Sequence, residues 1–369
     1  MLFKRCCWVA SACLLASSLC VAGPALELMD THLIWNESPY NSFGDLIWFH
    51  NQWFCSIREA QSHAGRRGEE ADGKIRVISS SDGQSWSSSA LIEESGTDLR
   101  DPHLSITADG RLMIVAGGSK YPDGVFQTRR PRVAFSKDGR QWTAPKPILQ
   151  DGDWLWRVTW HGGKAYGVSK YGSAGMESPD NPRRQNLVVS SDGLHWSVIA
   201  ELKVPGGDET TVRFLRDNRM VALMRCEVPD NWQGSGNAGT GTLTGEPDNH
   251  AVIGVSSPPY KTWEWKKTKY SVGGPNFIVL PDGRMIAGGR FFQNNDAKSP
   301  KMAVGFMSLD SYQPELILPS SGDSSYPGFV YQDGVLWTSY YSSPEAGKTA
   351  MYLAKIRVQG VAENSAVSH

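Results

Sequence analysis

The chain has 369 residues, with 37 basic against 38 acidic side chains and a formal net charge of −1. That balance argues against a nucleic-acid partner, because basic residues cluster no further than isolated pairs such as Arg66-Arg67, Arg129-Arg130 and Arg183-Arg184. A content of 38 Gly, 14 Trp, 12 Tyr and 12 Phe, with no sustained 3.6-residue period, excludes a helical protein and points to short strands joined by tight turns.

In chain order, Lys4-Arg5 precede an apolar run from Cys6 to Val21, and the small pair Ala22-Gly23 follows. This three-part layout reads as a secretory signal over residues 1–23, too short to span a bilayer, and predicts a secreted or periplasmic protein. Cys6, Cys7, Cys13 and Cys20 leave with it, and only Cys55 and Cys226 remain. Export permits a disulfide, but these two fall in different repeats, so two buried thiols are expected.

Residues 24–369 then repeat. Ser80-Ser-Asp-Gly-Gln-Ser-Trp86, Ser136-Lys-Asp-Gly-Arg-Gln-Trp142 and Ser190-Ser-Asp-Gly-Leu-His-Trp196 share the pattern S-x-D-G-x-x-W, with a degraded fourth copy at Ser256–Trp263. Asp-Gly makes a tight turn, since Asp bonds its own backbone and Gly accepts positive φ, and the Trp packs the returning strand. Turn signals at Asn51, Gly110, Gly163, Asn218, Gly283 and Gly334 separate alternating apolar runs, with one long insertion from Asp230 to Asp248. Six units of about four short strands predict one all-β domain, a six-bladed β-propeller.

Equivalent positions in such a ring face one depression. Seven residues past each turn stand Arg58, Gly117, Lys170, Arg225, Arg290 and Tyr341. Three converging guanidiniums repel one another unless an anion joins them, and the planar fork of arginine suits a carboxylate. Nine residues before the turns stand Asp101 in repeat two and Glu209 in repeat four, with Tyr326 one residue later in repeat six. Arg157, Trp154, Trp156 and Tyr171 of repeat three are further candidates for the depression, the aromatics either stacking on a sugar or packing between blades. His161, beside a turn, reads as structural. No spacing of Cys, His or acidic residues predicts a metal site, and no Gly-rich loop predicts a phosphate-bearing cofactor.

The S-x-D-G-x-x-W copies, or Asp boxes, resemble those of the sialidase (neuraminidase) superfamily. So do the three arginines, the segments Arg58-Glu-Ala-Gln-Ser-His63 and Asp98-Leu-Arg-Asp-Pro102, and Glu209 and Ser325-Tyr-Pro-Gly328. The resemblance covers essentially the whole chain after the leader. It implies an exo-glycosidase acting on terminal sialic acid or a related acidic nonulosonate of a glycan, with no cofactor. Arg58, Arg225 and Arg290 are then expected to clamp the substrate carboxylate. Tyr326 is expected to attack the anomeric carbon with Glu209 as its base, giving retention of configuration. Asp72 is the nearest positional match to the family's general acid, although Asp72-Gly73 also reads as a hairpin turn; His63 and Asp101 are the alternatives. Arg100, Arg157, His63 and Tyr341 are expected to line the site, and Glu345 to steady Arg58. Two rival readings are a propeller that binds an acidic sugar without cleaving it and a glycosidase that works with carboxylates alone.

Overall fold

The computed structural model describes residues 26–63, 73–172, 184–226, 250–292, 300–345 and 347–360. The proposed leader, Asp72 and the side chain of Glu345 lie outside the described residues. The regular structure is almost entirely strand. The chain opens with β1 (Leu26–Trp35) and then forms antiparallel meanders in order. The first is β2 (Tyr40–Phe49), β3 (Gln52–Ala60), β4 (Lys74–Ser80) and β5 (Ser87–Ile92). The second is β6 (Asp98–Ile106), β7 (Leu112–Lys120), β8 (Thr128–Ser136) and β9 (Lys146–Pro147). The third is β10 (Asp153–Leu155), β11 (Thr159–His161), β12 (Lys164–Tyr171), β13 (Arg184–Ser190) and β14 (Trp196–Glu201). The fourth is β15 (Gly207–Phe214), β16 (Met220–Cys226), β17 (Ala251–Ser256) and β18 (Glu264–Lys267). The fifth is β19 (Gly273–Val279), β20 (Met285–Phe292), β21 (Pro300–Met307) and β22 (Tyr312–Ile317). The last is β23 (Ser325–Gln332), β24 (Val335–Glu345) and β25 (Lys348–Val358), which pairs with β1.

The molecule is an all-β propeller. Its sheets differ from the expected count of six. Four blades stand alone as sheets of four or five strands, while the first and last meanders share one eight-stranded sheet. They merge through a single parallel pair, Tyr40 with Thr349, because β1 closes the last meander and delivers the chain directly into β2. Apolar clusters fill the wedges between neighbouring meanders. Phe54, Leu99 and Leu112 meet between the first and second, and Val212, Met224 and Trp265 face Tyr166 and Leu187 between the fourth and third. Cys55 and Cys226 are buried free thiols.

The S-x-D-G-x-x-W turns follow from their residues. In the second meander Ser136 Oγ accepts the Gly139 N–H at 2.8 Å, and Asp138 Oδ1 accepts the Arg140 and Gln141 N–H groups at 2.9 and 2.8 Å. Gly139 supplies φ 73°, and Trp142 Nε1 donates back to its carbonyl at 3.1 Å. The copies at Ser80 and Ser190 repeat the Ser and Asp bonds. In the degraded copy Tyr260 takes the glycine's place at φ 64°, and Trp263 still bonds its carbonyl.

Near the axis the inner strands are tied by buried polar groups. Asp45 Oδ2 on β2 accepts Arg157 Nη1 at 2.6 Å and the Leu104 N–H of β6 at 2.9 Å. Arg157 Nη2 also donates to the Pro327 carbonyl of β23, and Asn276 of β19 donates to the same oxygen. Arg157, 3% exposed, is therefore an axial strut between three meanders, not a group at an open face.

Candidate active site

Five inner strands break their ladder at one equivalent place. Register shifts fall between Ser42 and Asp45, Arg100 and His103, Gly207 and Thr210, Gly273 and Asn276, and Ser325 and Gly328. A bulge of this kind re-aims a side chain and sharpens the local twist. In four of the five, a residue inside the bulge has left-handed backbone: Phe43 at φ 55°, Asp101 at 50°, Gly274 at 59° and Tyr326 at 58°. Each neighbouring second strand places its candidate opposite the residue before that position. Arg58 pairs with Ser42, Gly117 with Arg100, Arg290 with Gly273 and Tyr341 with Ser325.

Tyr326 and Glu209 meet across the ring. The phenol donates to Glu209 Oε1 at 2.8 Å, and both residues are buried. Glu209 Oε2 accepts the Gly274 N–H at 2.8 Å and Arg225 Nη1 at 3.2 Å. Phe43 and Trp156 flank the Tyr326 ring at 4.9 and 5.0 Å between centroids. Burial, and then the nearby carboxylates Asp101 and Glu209, push the Tyr326 phenol well above its usual range, so it rests neutral. The Glu209 charge in turn holds the Arg225 guanidinium firmly protonated.

The three arginines occupy different surroundings. Arg225 is the most open, with 39% of its side chain exposed. Together with Arg290 it lines a narrow recess that includes Gly273, His250 and Phe292. Arg290 Nη2 bonds Tyr341 Oη at 2.8 Å and is ion-paired with Asp323. Burial works against the Arg290 charge, but Tyr341 and Asp323 outweigh it and raise its pKa. Arg58 differs from both. It is 1% exposed, its Nε and Nη2 both donate to Asp98 Oδ1, and its Nη1 donates to the Ser62 carbonyl. Burial lowers the Arg58 pKa against the pull of Asp98.

Arg100 extends this cluster. Its Nη2 donates to the His63 carbonyl at 2.8 Å, its Nη1 lies 3.5 Å from Asp98 Oδ2, and its guanidinium sits over Phe43. His63 is half exposed and shares Asp323 Oδ2 with Tyr40 Oη, at 3.0 and 3.1 Å. Asp101 is 8% exposed, and burial raises its carboxyl to about 7, with Arg100 opposing and Glu209 adding to the rise.

Other expected residues fall elsewhere. Lys170 is ion-paired with Asp208, Trp154 packs on Gly117 beneath Arg129, and Tyr171 packs on Gly152 beneath Arg184. Trp156 is 2% exposed and forms part of the floor under Tyr326 instead of an open sugar platform. His161 stacks on Phe214 and bonds Asn218.

The sequence reading missed Asp98 and Asp323, the carboxylates that hold Arg58 and Arg290. Both stand three residues before a bulge residue, Asp98 before Asp101 and Asp323 before Tyr326. That shared offset is the signal that marks them. It also missed Phe43 and Gly274, which stand in the bulges beside Asp101 and Tyr326.

No protein-family model and no curated protein matches the sequence. Solved structures match the fold. A Dyadobacter fermentans protein of unknown function superposes with a TM-score of 0.72 at 17% identity, covering 90% of this chain and 99% of its own. A Trypanosoma rangeli sialidase in complex with sialic acid gives 0.61 at 12% identity over 92% of this chain and 59% of that one. The Fusarium graminearum α-L-arabinofuranosidase gives 0.62 at 11% identity over 89% of this chain and 98% of that one. At these identities the likeness is one of fold.

Proposed function

We propose that this protein is a retaining glycoside hydrolase in which Tyr326 is the nucleophile and Glu209 its base. The observation that carries the reading is the 2.8 Å bond from the buried Tyr326 phenol to Glu209, with Arg225 on the other carboxylate oxygen. A neutral phenol approaches an anomeric carbon bearing a carboxylate without like-charge repulsion, and loses its proton to Glu209 only as it attacks. Arg225 and Arg290, converging on one recess, hold the substrate carboxylate while the glycosidic bond breaks. The substrate in this reading is a terminal sialic acid or related acidic nonulosonate. Arg58, with its fork used by Asp98 and Ser62, acts by positioning the His63 loop. We count the eight-stranded sheet as two blades, giving six around the axis, and take residues 1–23 as an export leader.

The test is hydrolysis of an aryl α-sialoside by the wild type, Tyr326→Phe and Arg290→Ala, with proton NMR of the first-formed sugar anomer. Expected are wild-type turnover with retention, at least a 1,000-fold loss in Tyr326→Phe, and a raised KM in Arg290→Ala. Binding without turnover, unchanged in Tyr326→Phe, makes the protein a sugar-binding propeller instead. Turnover of an aryl arabinofuranoside alone removes the acidic-sugar assignment.

A further inference from the structure

Of the carboxyl groups of Glu209, Asp98, Asp323 and Asp101, three are committed as hydrogen-bond acceptors. Glu209 accepts Tyr326 Oη, the Gly274 N–H and Arg225. Asp98 accepts two N–H groups of Arg58 and faces Arg100. Asp323 accepts from Arg290, Tyr341, Tyr40 and His63, and despite burial these partners hold its carboxyl down at about 2. The fourth, Asp101, accepts no hydrogen bond from any described residue. It sits in the bulge of β6 at the same left-handed position that Tyr326 holds in β23.

We propose that Asp101 is the general acid of the glycosidase reaction proposed above, on which this assignment rests. A group that must carry a proton into the site is poorly served by oxygens already taken up by several donors, which among these described carboxyls favours Asp101. Its electrostatic neighbours are Arg100 and Asp98 on its own strand, Arg58 on β3, Glu209 on β15 and Tyr326 on β23. Burial first, and then Glu209 and Asp98, favour the neutral form against the two arginines. The resulting value of about 7 suits an acid working near neutrality. With Asp101 neutral, the guanidiniums of Arg58, Arg100, Arg225 and Arg290 face three anions, Asp98, Glu209 and Asp323. The one uncompensated positive charge matches one substrate carboxylate.

In the first step the Asp101 carboxyl proton passes to the glycosidic oxygen, which keeps the electron pair of the breaking C–O bond. Tyr326 Oη bonds the anomeric carbon, and its proton goes to Glu209. In the second step the Asp101 carboxylate takes a proton from water, and the water oxygen attacks the anomeric carbon. The Tyr326 oxygen leaves with its bonding pair and recovers the proton from Glu209.

The experiment compares wild type, Asp101→Asn and Tyr326→Phe on 4-nitrophenyl and methyl α-sialosides across pH 5–9. Asp101→Asn is expected to lose about 100-fold or more in kcat/KM on the methyl glycoside and under tenfold on the activated one. The wild-type fall in rate above pH 7 on the methyl glycoside should be absent in the variant. Equal losses on both substrates, or a basic limb that persists in Asp101→Asn, overturn the assignment while leaving the Tyr326 reading intact. A wild type that cleaves neither substrate overturns both, and Tyr326→Phe activity equal to wild type overturns the nucleophile itself.

Discussion

Tyr326 and Asp101 adopt a backbone conformation that residues with a Cβ avoid, at roughly 1–2 kcal/mol each, and the surrounding bulges hold them there. Gly274 is their counterpart on β19, and its missing side chain leaves room for the Tyr326 ring. A Cβ there falls 2.5 Å from Ser325 Oγ and 2.7 Å from Tyr326 Cδ2. Gly274→Ala is therefore expected to displace Tyr326 and lower kcat/KM by about 100-fold, as a misplacement of about an ångström does. A wild-type rate in that variant removes the steric argument. Arg58 gives a contrasting forecast. Arg58→Ala strips the buried Asp98 of both its N–H donors and leaves, among the described residues, only Arg100 at 3.5 Å, so unfolding in urea should report a loss of about 3 kcal/mol. If stability is unchanged and only KM rises, Arg58 is a clamp after all. Asp101 also links stability to pH. Its folded value of about 7 lies above the 3.8 of the free group, so the folded state binds the extra proton and this contribution falls as pH rises from about 4 to 7. Urea melts of Asp101→Asn against wild type over that range should differ in slope; parallel profiles disprove the shift.

At the scale of elements, the S-x-D-G-x-x-W turns and the inner-strand bulges sit at opposite ends of the strands and do separate jobs. The turns close the outer hairpins through side chain–backbone bonds, and their glycines seat a neighbouring aromatic ring. Gly83 lies against Trp337 and Gly139 against Phe54, so each turn also docks one meander on another. Ser136→Ala removes the acceptor of the buried Gly139 N–H, with an expected loss of about 1–3 kcal/mol and unchanged kcat/KM. A thermal melt identical to wild type counts against that role. The bulges act at the end of the ring that holds Tyr326 and Glu209, where each turns one residue of an inner strand out of its ladder. Five bulges on five separate strands are what bring Phe43, Asp101, Glu209, Gly274 and Tyr326 to one end of the ring.

Over the whole molecule, ring closure depends on contacts between the two ends of the described chain. β1 covers the free edge of β25 and adds Leu26 and Leu28 to the last apolar cluster. The axis is closed separately by Asp45 and Arg157, which join the first, second, third and last meanders. Arg157→Met keeps the bulk but strands the Asp45 charge, so about 3–5 kcal/mol of stability should go while KM stays put. A raised KM at unchanged stability would return Arg157 to the substrate side. The succession of antiparallel meanders was legible in the turn spacing, whereas the expected six separate sheets appear as four plus one merged sheet. The merging of the first and last meanders was not legible, because it depends on one backbone pair between Tyr40 and Thr349, far apart in the chain.

The sequence alone determined the strand-and-turn character, the repeat and the register that picks out Arg225, Arg290, Glu209 and Tyr326. Those properties are local, since turn chemistry and period-two alternation are written within a few residues. Only the tertiary structure decided which charges meet. Arg58 and Arg290 stand at equivalent positions of their repeats, yet one is sealed by Asp98 and the other stays beside Arg225 at a recess. Asp101 and Asp98 lie three residues apart on one strand, yet one is bound by two N–H groups and the other by none among the described residues. Burial and partner are set by neighbouring blades, and those two quantities fix the charge a side chain carries.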